Sequence, residues 1–174
     1  MPTPEWRDEP VVVVDYDAAW PQAFAEEEAL LRGVIDPFAT GGIHHVGSTA
    51  VPGLMAKPVI DILVGVESLE SSRACIDLLE PLHYVYAPYR VEEMHWFCKP
   101  DPSHRTHHLH LVPTTSQRFI DELAFRDYLR AHADRARAYA ALKRDLAVRY
   151  RDDREAYTAG KSEFVRETLS LAQK

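Results

Sequence analysis

The chain has 174 residues, of which 46% are apolar and 27% are charged, and its formal net charge is −7. This composition excludes a disordered chain and predicts one globular domain over residues 1–174. The negative charge argues against general nucleic-acid binding, because surfaces that bind nucleic acids are basic. No apolar run reaches the roughly 20 residues of a membrane helix, and the first ten residues do not read as a signal peptide. We therefore expect a protein of the cytoplasm that does not bind membranes.

The first third of the chain is predicted to alternate between extended and helical segments. Four valines at 11–14 predict a short strand, and Asp17 can cap a helix that begins near Ala18. A second strand is expected at Ile43–Val46, followed by a loop that ends at Pro58. The apolar run Val59–Val66 then predicts a buried strand, interrupted by a carboxylate at Asp61.

The remainder is predicted to contain one helix, three strands and three further helices. Ser68 or Ser71 can cap the first of these helices. The strands are expected at 84–89, 94–99 and 106–112, and helical spacing begins after Ser116, with a third and last helix that carries Tyr157 to Leu171. A mixed sheet with a C-terminal helical layer, an α+β fold, is the expected architecture.

The segment from His45 to Val66 carries the strongest functional signal. A carboxylate such as Asp61 is costly to bury without a cation, a metal or hydrogen-bond donors. Thirteen residues upstream, Gly47-Ser48 supplies small residues at which a phosphate can approach the backbone. Together these features indicate a nucleotide-type site, with a phosphate-facing turn beside a metal-binding strand.

The blocks HVGSTAVPGL and KPVIDI resemble the GrpB family, a branch of the nucleotidyltransferase-fold superfamily. Val46-Gly47-Ser48 matches the first part of the superfamily signature, and Asp61 matches the second. The resemblance continues through VVVVDYDAAWPQAF, THHLHLV, FRDYLRAH and AYTAGKSEF, and so covers nearly the whole chain. It implies a nucleotidyltransferase-like mixed sheet flanked by helices. One departure concerns activity, because Leu63 stands where superfamily enzymes usually carry a second carboxylate.

Two histidines in THHLHLV are the next candidates. Strand alternation places His108 and His110 on one face, where two imidazoles can converge on an ion or a phosphate. The resemblance implies that a later strand supplies a third ligand, so we predict a divalent metal (Mg, Mn or Zn) held by Asp61, His108 and His110. Asp61 and His110 are also the predicted catalytic residues. The alternative is a pair of histidines that only hydrogen-bond to their neighbours.

The predicted substrate-binding residues are basic, small or hydroxyl-bearing, which suits phosphate oxygens. They are His45, Gly47, Ser48, Lys57, Lys99, Arg105 and Lys161. Structural alternatives remain for several of them. His45 can orient the turn instead of binding phosphate, and Lys57 can be a solvated loop residue. Lys161 lies in an apolar helical stripe, so it either reaches the surface, pairs with a buried carboxylate or points into the site.

The leading functional hypothesis is an enzyme that binds a nucleoside triphosphate or another phosphorylated small molecule and transfers a nucleotidyl or phosphoryl group, with a metal. Leu63 favours the alternative, a catalytically degenerate accessory module that binds the nucleotide or metabolite without turning it over. A resemblance to a C-terminal extension of some dephospho-coenzyme A kinases is compatible with that accessory role.

Overall fold

A five-stranded mixed sheet forms the centre of the computed structural model, which describes residues 9–174. The strands are β1 (Ile43–Val46), β2 (Ile60–Val66), β3 (Val85–Tyr86), β4 (His95–Asp101) and β5 (His104–Pro113). Their order across the sheet is β1-β2-β5-β4-β3. Strands β2 and β5 are parallel, and the other neighbouring pairs are antiparallel. The expected α+β architecture is confirmed.

Helices cover both faces of the sheet. They are α1 (Trp20–Ile35), α2 (Cys75–Leu78), α3 (Gln117–Ala131), α4 (Ala133–Arg149), α5 (Arg154–Gly160) and α6 (Ser162–Ala172). Short 3₁₀ turns lie at Asp36–Phe38, Ser48–Ala50 and Glu80–Leu82. Among the described residues, no helix is long and apolar enough to cross a membrane.

The alternation of side chains in β2 and β5 separates two environments. Ile62 and Leu109 point to the face where they pack with Leu31 of α1 in the larger core. Leu63 points to the opposite face and packs with Met94 and other apolar residues under α3. The parallel register pairs Asp61 with His108 and Leu63 with His110, so all four side chains share this second face.

Several sequence predictions of local structure were wrong. The valines at 11–14 do not form a sheet strand, and Val14 makes only an isolated bridge with Ala56. Helix α2 has four residues, and β3 has two. The predicted last helix is two helices, α5 and α6, which are separated at Lys161.

Candidate functional site

Asp61 lies at the beginning of β2 and its carboxylate is mostly buried. His108 Nδ1 donates a hydrogen bond to Asp61 Oδ1 over 3.1 Å. Burial opposes ionisation of Asp61, but the hydrogen bond from His108 and the electrostatic interactions with His108, His110 and Lys57 outweigh it and lower the pKa of Asp61 to about 2. Asp61 is therefore an ionised carboxylate, and its negative charge faces several basic side chains.

The Gly47-Ser48 turn approaches this carboxylate closely, as the sequence predicted. Gly47 has φ 73° and ψ −172°, a backbone conformation that favours glycine. A Cβ at this position would lie 2.5 Å from Asp61 Oδ2. Glycine is therefore required here for two reasons, the backbone conformation and the space that Asp61 occupies.

We expect Gly47→Ala to destabilise the protein by more than about 2 kcal/mol, because strained backbone costs about 1–3 kcal/mol and the methyl group also displaces Asp61. Gly53→Ala is the matched control. Gly53 also has a positive φ of 80°, but nothing lies within 4 Å of its added Cβ. Denaturant unfolding of the two variants separates the energetic cost of the strained backbone from the cost of displacing Asp61. Equal losses of stability in both would contradict the role assigned to the Asp61 contact.

His45 orients the turn rather than facing the site. Its side chain is buried on the α1 face of the sheet, where it stacks on Phe24. His45 Nε2 and Thr49 Oγ1 are 2.9 Å apart, and Thr49 donates its hydroxyl proton to the carbonyl of Val59. His45 must therefore donate through Nε2. Burial lowers its pKa to about 4, so it is neutral at pH 7. These contacts favour the alternative in which His45 orients the turn, and the phosphate contact of His45 stays a prediction.

Three partly or fully buried lysines interact with Asp61. Lys57 precedes β2, Lys143 lies on α4 and Lys161 lies between α5 and α6. Burial, followed by repulsion from neighbouring cations, lowers the pKa of Lys57 and of Lys143 to about 7. Burial likewise lowers the pKa of Lys161 to about 8, although Asp61 opposes this shift. We call these three residues the lysine cluster.

Two tyrosines hold the lysine cluster in place. Lys57 Nζ and Lys161 Nζ lie 5.2 Å and 4.6 Å from the ring centroid of Tyr157, and Lys143 Nζ lies 4.8 Å from that of Tyr139. Lys143 also donates to the carbonyl of Met55. Tyr157 is fully buried, and its hydroxyl has no hydrogen-bond partner among the described residues. Such a hydroxyl is costly to bury unless a ligand or a water molecule forms a hydrogen bond with it.

Tyr139 links the lysine cluster to the turn that precedes β2. Its hydroxyl interacts with Ser48, the residue that the sequence predicted to contact phosphate. Burial raises the pKa of Tyr139, so its hydroxyl stays protonated. Ser48, Lys57 and Lys161 are thus brought to one place by three different parts of the chain.

His110 faces a carboxylate that the sequence did not indicate. His110 Nδ1 lies 3.5 Å from Glu122 Oε2 of α3. Burial opposes protonation of His110, but Glu122 outweighs it and raises the pKa of the imidazole. Arg118 pairs with the other oxygen of Glu122 over 3.2 Å. A carboxylate therefore reaches this face from a helix, and not from position 63 of the strand.

The predicted metal ligands do not converge in this arrangement. His108 donates its Nδ1 hydrogen bond to Asp61, whereas the Nδ1 atom of His110 faces Glu122. Among residues 9–174, no group of three or more histidine, cysteine, aspartate or glutamate side chains has the geometry of a metal site. His108 Nε2 is buried without a partner in the same range, and burial lowers the pKa of His108, which keeps it neutral. These residues do not fit a three-ligand metal centre without rearrangement.

Two of the predicted basic residues lie elsewhere. Lys99 pairs in register with His107, which places it on the α1 face. There its Nζ lies 2.7 Å from Glu27 Oε1, so the prediction that Lys99 reaches the Asp61 site is wrong. Arg105 stays on the side of the site, with its guanidinium 5.4 Å from the ring of Trp96 and its Nε bonded to the carbonyl of Pro102.

The missing second carboxylate has a structural explanation, because Leu63 is fully buried under α3. We expect Leu63→Asp to cost at least about 4 kcal/mol and to unfold the protein, since an unpaired charge is expensive in an apolar cluster. Leu63→Met is the control and should cost less than about 1.5 kcal/mol. Circular dichroism during thermal unfolding measures both. A folded Leu63→Asp variant that binds a divalent metal would contradict this expectation.

A sequence model of the GrpB family, described as GrpB protein, matches residues 10–171. The chain belongs to the GrpB family. A UPF0157 protein of Pseudomonas aeruginosa is 42% identical over 170 residues, which cover 95% of this chain and 69% of that protein. The crystal structure of the conserved protein GrpB from Enterococcus faecalis is 33% identical, with a TM-score of 0.84 over 92% of this chain and 96% of that one.

This GrpB-family chain is also similar to part of a larger protein. A dephospho-CoA kinase of Mycolicibacterium paratuberculosis is 30% identical over 199 aligned residues, which cover 94% of this chain and 46% of the kinase. The chain therefore spans about half the length of that relative.

Proposed function

We propose that this GrpB-family protein binds a nucleoside triphosphate or another phosphorylated small molecule at the lysine cluster. One observation carries the proposal: Lys57, Lys143 and Lys161 all interact with the single carboxylate of Asp61. Three ammonium groups against one carboxylate leave an excess of positive charge in a poorly solvated place. An anionic ligand offsets that excess, and lysine binds phosphate groups as a point charge.

The surroundings of the lysine cluster support a ligand that carries phosphates. Ser48, whose hydroxyl interacts with Tyr139 beside the lysine cluster, can donate a hydrogen bond to a phosphate oxygen. The unpartnered hydroxyl of Tyr157 can donate to one of those oxygens. Fixed ammonium groups also stabilise the charge that develops on a transferred phosphoryl or nucleotidyl group.

For group transfer, Asp61 is the candidate for binding a metal that arrives with the phosphates or for orienting an acceptor. His108 holds the carboxylate of Asp61 through its 3.1 Å hydrogen bond. The carboxylate of Glu122, next to His110, is the second acidic group on this face. We expect ligand binding with slow or absent transfer to generic acceptors, because the usual second carboxylate of the strand is absent.

Thermal unfolding in the presence of ATP, CTP, ADP or inorganic phosphate, each with and without Mg, Mn or Zn, tests the proposal. We expect at least one phosphorylated compound to raise the melting temperature of the wild-type protein. Asp61→Asn should remove any additional stabilisation by the metal and leave part of the stabilisation by phosphate. If no phosphorylated compound stabilises the protein at millimolar concentration, the proposal is wrong.

A second candidate function is that of an accessory module without turnover. The similarity to half of a dephospho-CoA kinase favours it, because a binding module next to such an enzyme would handle the same class of ligand. Dephospho-CoA and CoA therefore belong in the same panel. Strong stabilisation by either compound, together with no transfer activity towards any triphosphate, would favour the accessory module.

A further inference from the structure

A second cavity lies away from Asp61, between the loop that follows β1 and helices α3 and α4. Its volume is about 660 Å³, which is within the range of small-molecule pockets. Arg130, Arg137 and Arg144 line it, and Asp15 is the one acidic residue of the lining. We call this cavity the arginine groove. It is locally positive in a chain whose formal net charge is −7.

Two of these arginines are anchored to the loop through one nitrogen. Arg130 Nε donates to the carbonyl of Ala50 over 2.8 Å, and Arg144 Nε lies 2.9 Å from Met55 Sδ. Within residues 9–174, the terminal nitrogens of both guanidinium groups, and all nitrogens of Arg137, have no hydrogen bond or ion pair. The anchoring reduces the freedom of the side chains and leaves bidentate donors for an anion.

The spacing of the arginines and the lining of the groove indicate the kind of ligand. Arg137 and Arg144 are seven residues apart on α4, which corresponds to about 10 Å along the helix axis. That distance exceeds the width of one phosphate group, so a ligand that contacts both needs more than one acidic group. Small or apolar residues also line the groove, namely Leu54, Leu129, Ala133, Ala136 and Ala140. These side chains leave room for an apolar or planar body.

We propose that the arginine groove is a second ligand site, which binds an organic phosphate with at least two acidic groups and an apolar body, such as a nucleoside diphosphate. This site is separate from the lysine cluster. The two meet at Met55, whose carbonyl accepts from Lys143 and whose sulfur contacts Arg144. The proposal therefore stands whether or not the lysine cluster binds phosphate.

The test uses a variant in which the lysine cluster is weakened, Lys57→Met/Lys161→Met, with ADP and pyrophosphate as probes. The side-chain Nε–H signals of arginine report the groove directly in NMR spectra. We expect millimolar ADP to shift the signals of Arg130, Arg137 and Arg144 in this variant. Pyrophosphate, which lacks the apolar body, should bind more weakly.

Adding Arg137→Gln to the same variant should weaken ADP binding at least tenfold, as measured by NMR titration. Arg137 is exposed and makes no side-chain hydrogen bond or ion pair within the described residues, so the fold should be unaffected. Arg73→Gln, which removes another exposed arginine, is the matched control and should leave ADP affinity unchanged. If the three arginine signals do not move, or if Arg137→Gln binds ADP as tightly as its parent, the proposal is wrong. If only the lysine cluster loses its ligand, ADP should still shift the Nε–H signals of the three groove arginines.

Discussion

Replacing Lys161 with methionine is expected to stabilise the ligand-free protein and to weaken phosphate binding at the same time. The side chain lies over the ring of Tyr157, and methionine can fill the same volume without a charge. Removal of one of three neighbouring ammonium groups relieves both desolvation and mutual repulsion. We expect a gain of about 1–2 kcal/mol in the free energy of unfolding at pH 7, by analogy with other buried charges that are replaced by apolar residues.

The same substitution removes a donor and a positive charge from the proposed phosphate site. We expect the affinity for any phosphorylated ligand that binds there to fall at least tenfold, which corresponds to about 1.4 kcal/mol. Thermal unfolding without ligand and calorimetric titration with ligand measure the two effects. Lys174→Met, at an exposed position, is the control and should change neither. A lysine with a purely structural role would give a loss of stability and an unchanged affinity.

Two simple periodicities in the sequence place Asp61 and His108 on strands, but they do not determine the contact between the two residues. The apolar run around Asp61 required a strand, and the alternation of THHLHLV put His108 on a defined face. The parallel register of β2 and β5, which pairs the two residues directly, came only from the structure. The same register explains the error for Lys99, since its partner is His107 on the opposite face.

Residues on the C-terminal helices were harder to assign to the site. Lys161 was identified because a lysine interrupts an apolar helical stripe. Lys143 carries the same signal, four residues after Tyr139 and three before Leu146, and it could have been found in the same way. Glu122 gave no such signal, because a glutamate on an amphipathic helix is normally exposed. Its contact with His110 depends on how α3 lies across the sheet, which no local pattern specifies.

The binding of a phosphorylated ligand at the lysine cluster is expected to take up protons and to weaken as the pH rises. The pKa values of Lys57 and Lys143 are lowered to about 7, and that of Lys161 to about 8, from an ordinary value of 10.5. At pH 8 the free protein therefore holds these lysines partly neutral, whereas a bound phosphate favours their charged form. Affinity should be highest below about pH 6.5, where all three carry a proton, and should fall steadily towards pH 9.

The stability of the ligand-free protein should change with pH in the opposite direction. Between about pH 7 and 10.5 the unfolded chain binds more protons at these lysines than the folded protein does. The contribution of the lysine cluster to the free energy of unfolding therefore rises with pH. Calorimetric titrations at pH 8 in two buffers of different ionisation enthalpy measure the proton uptake, and denaturant unfolding from pH 7 to 9 measures the stability. Lys57→Met should reduce the uptake, while Lys174→Met should not. Binding that releases protons, or an affinity that is constant from pH 6.5 to 9, would show that these lysines do not hold the ligand.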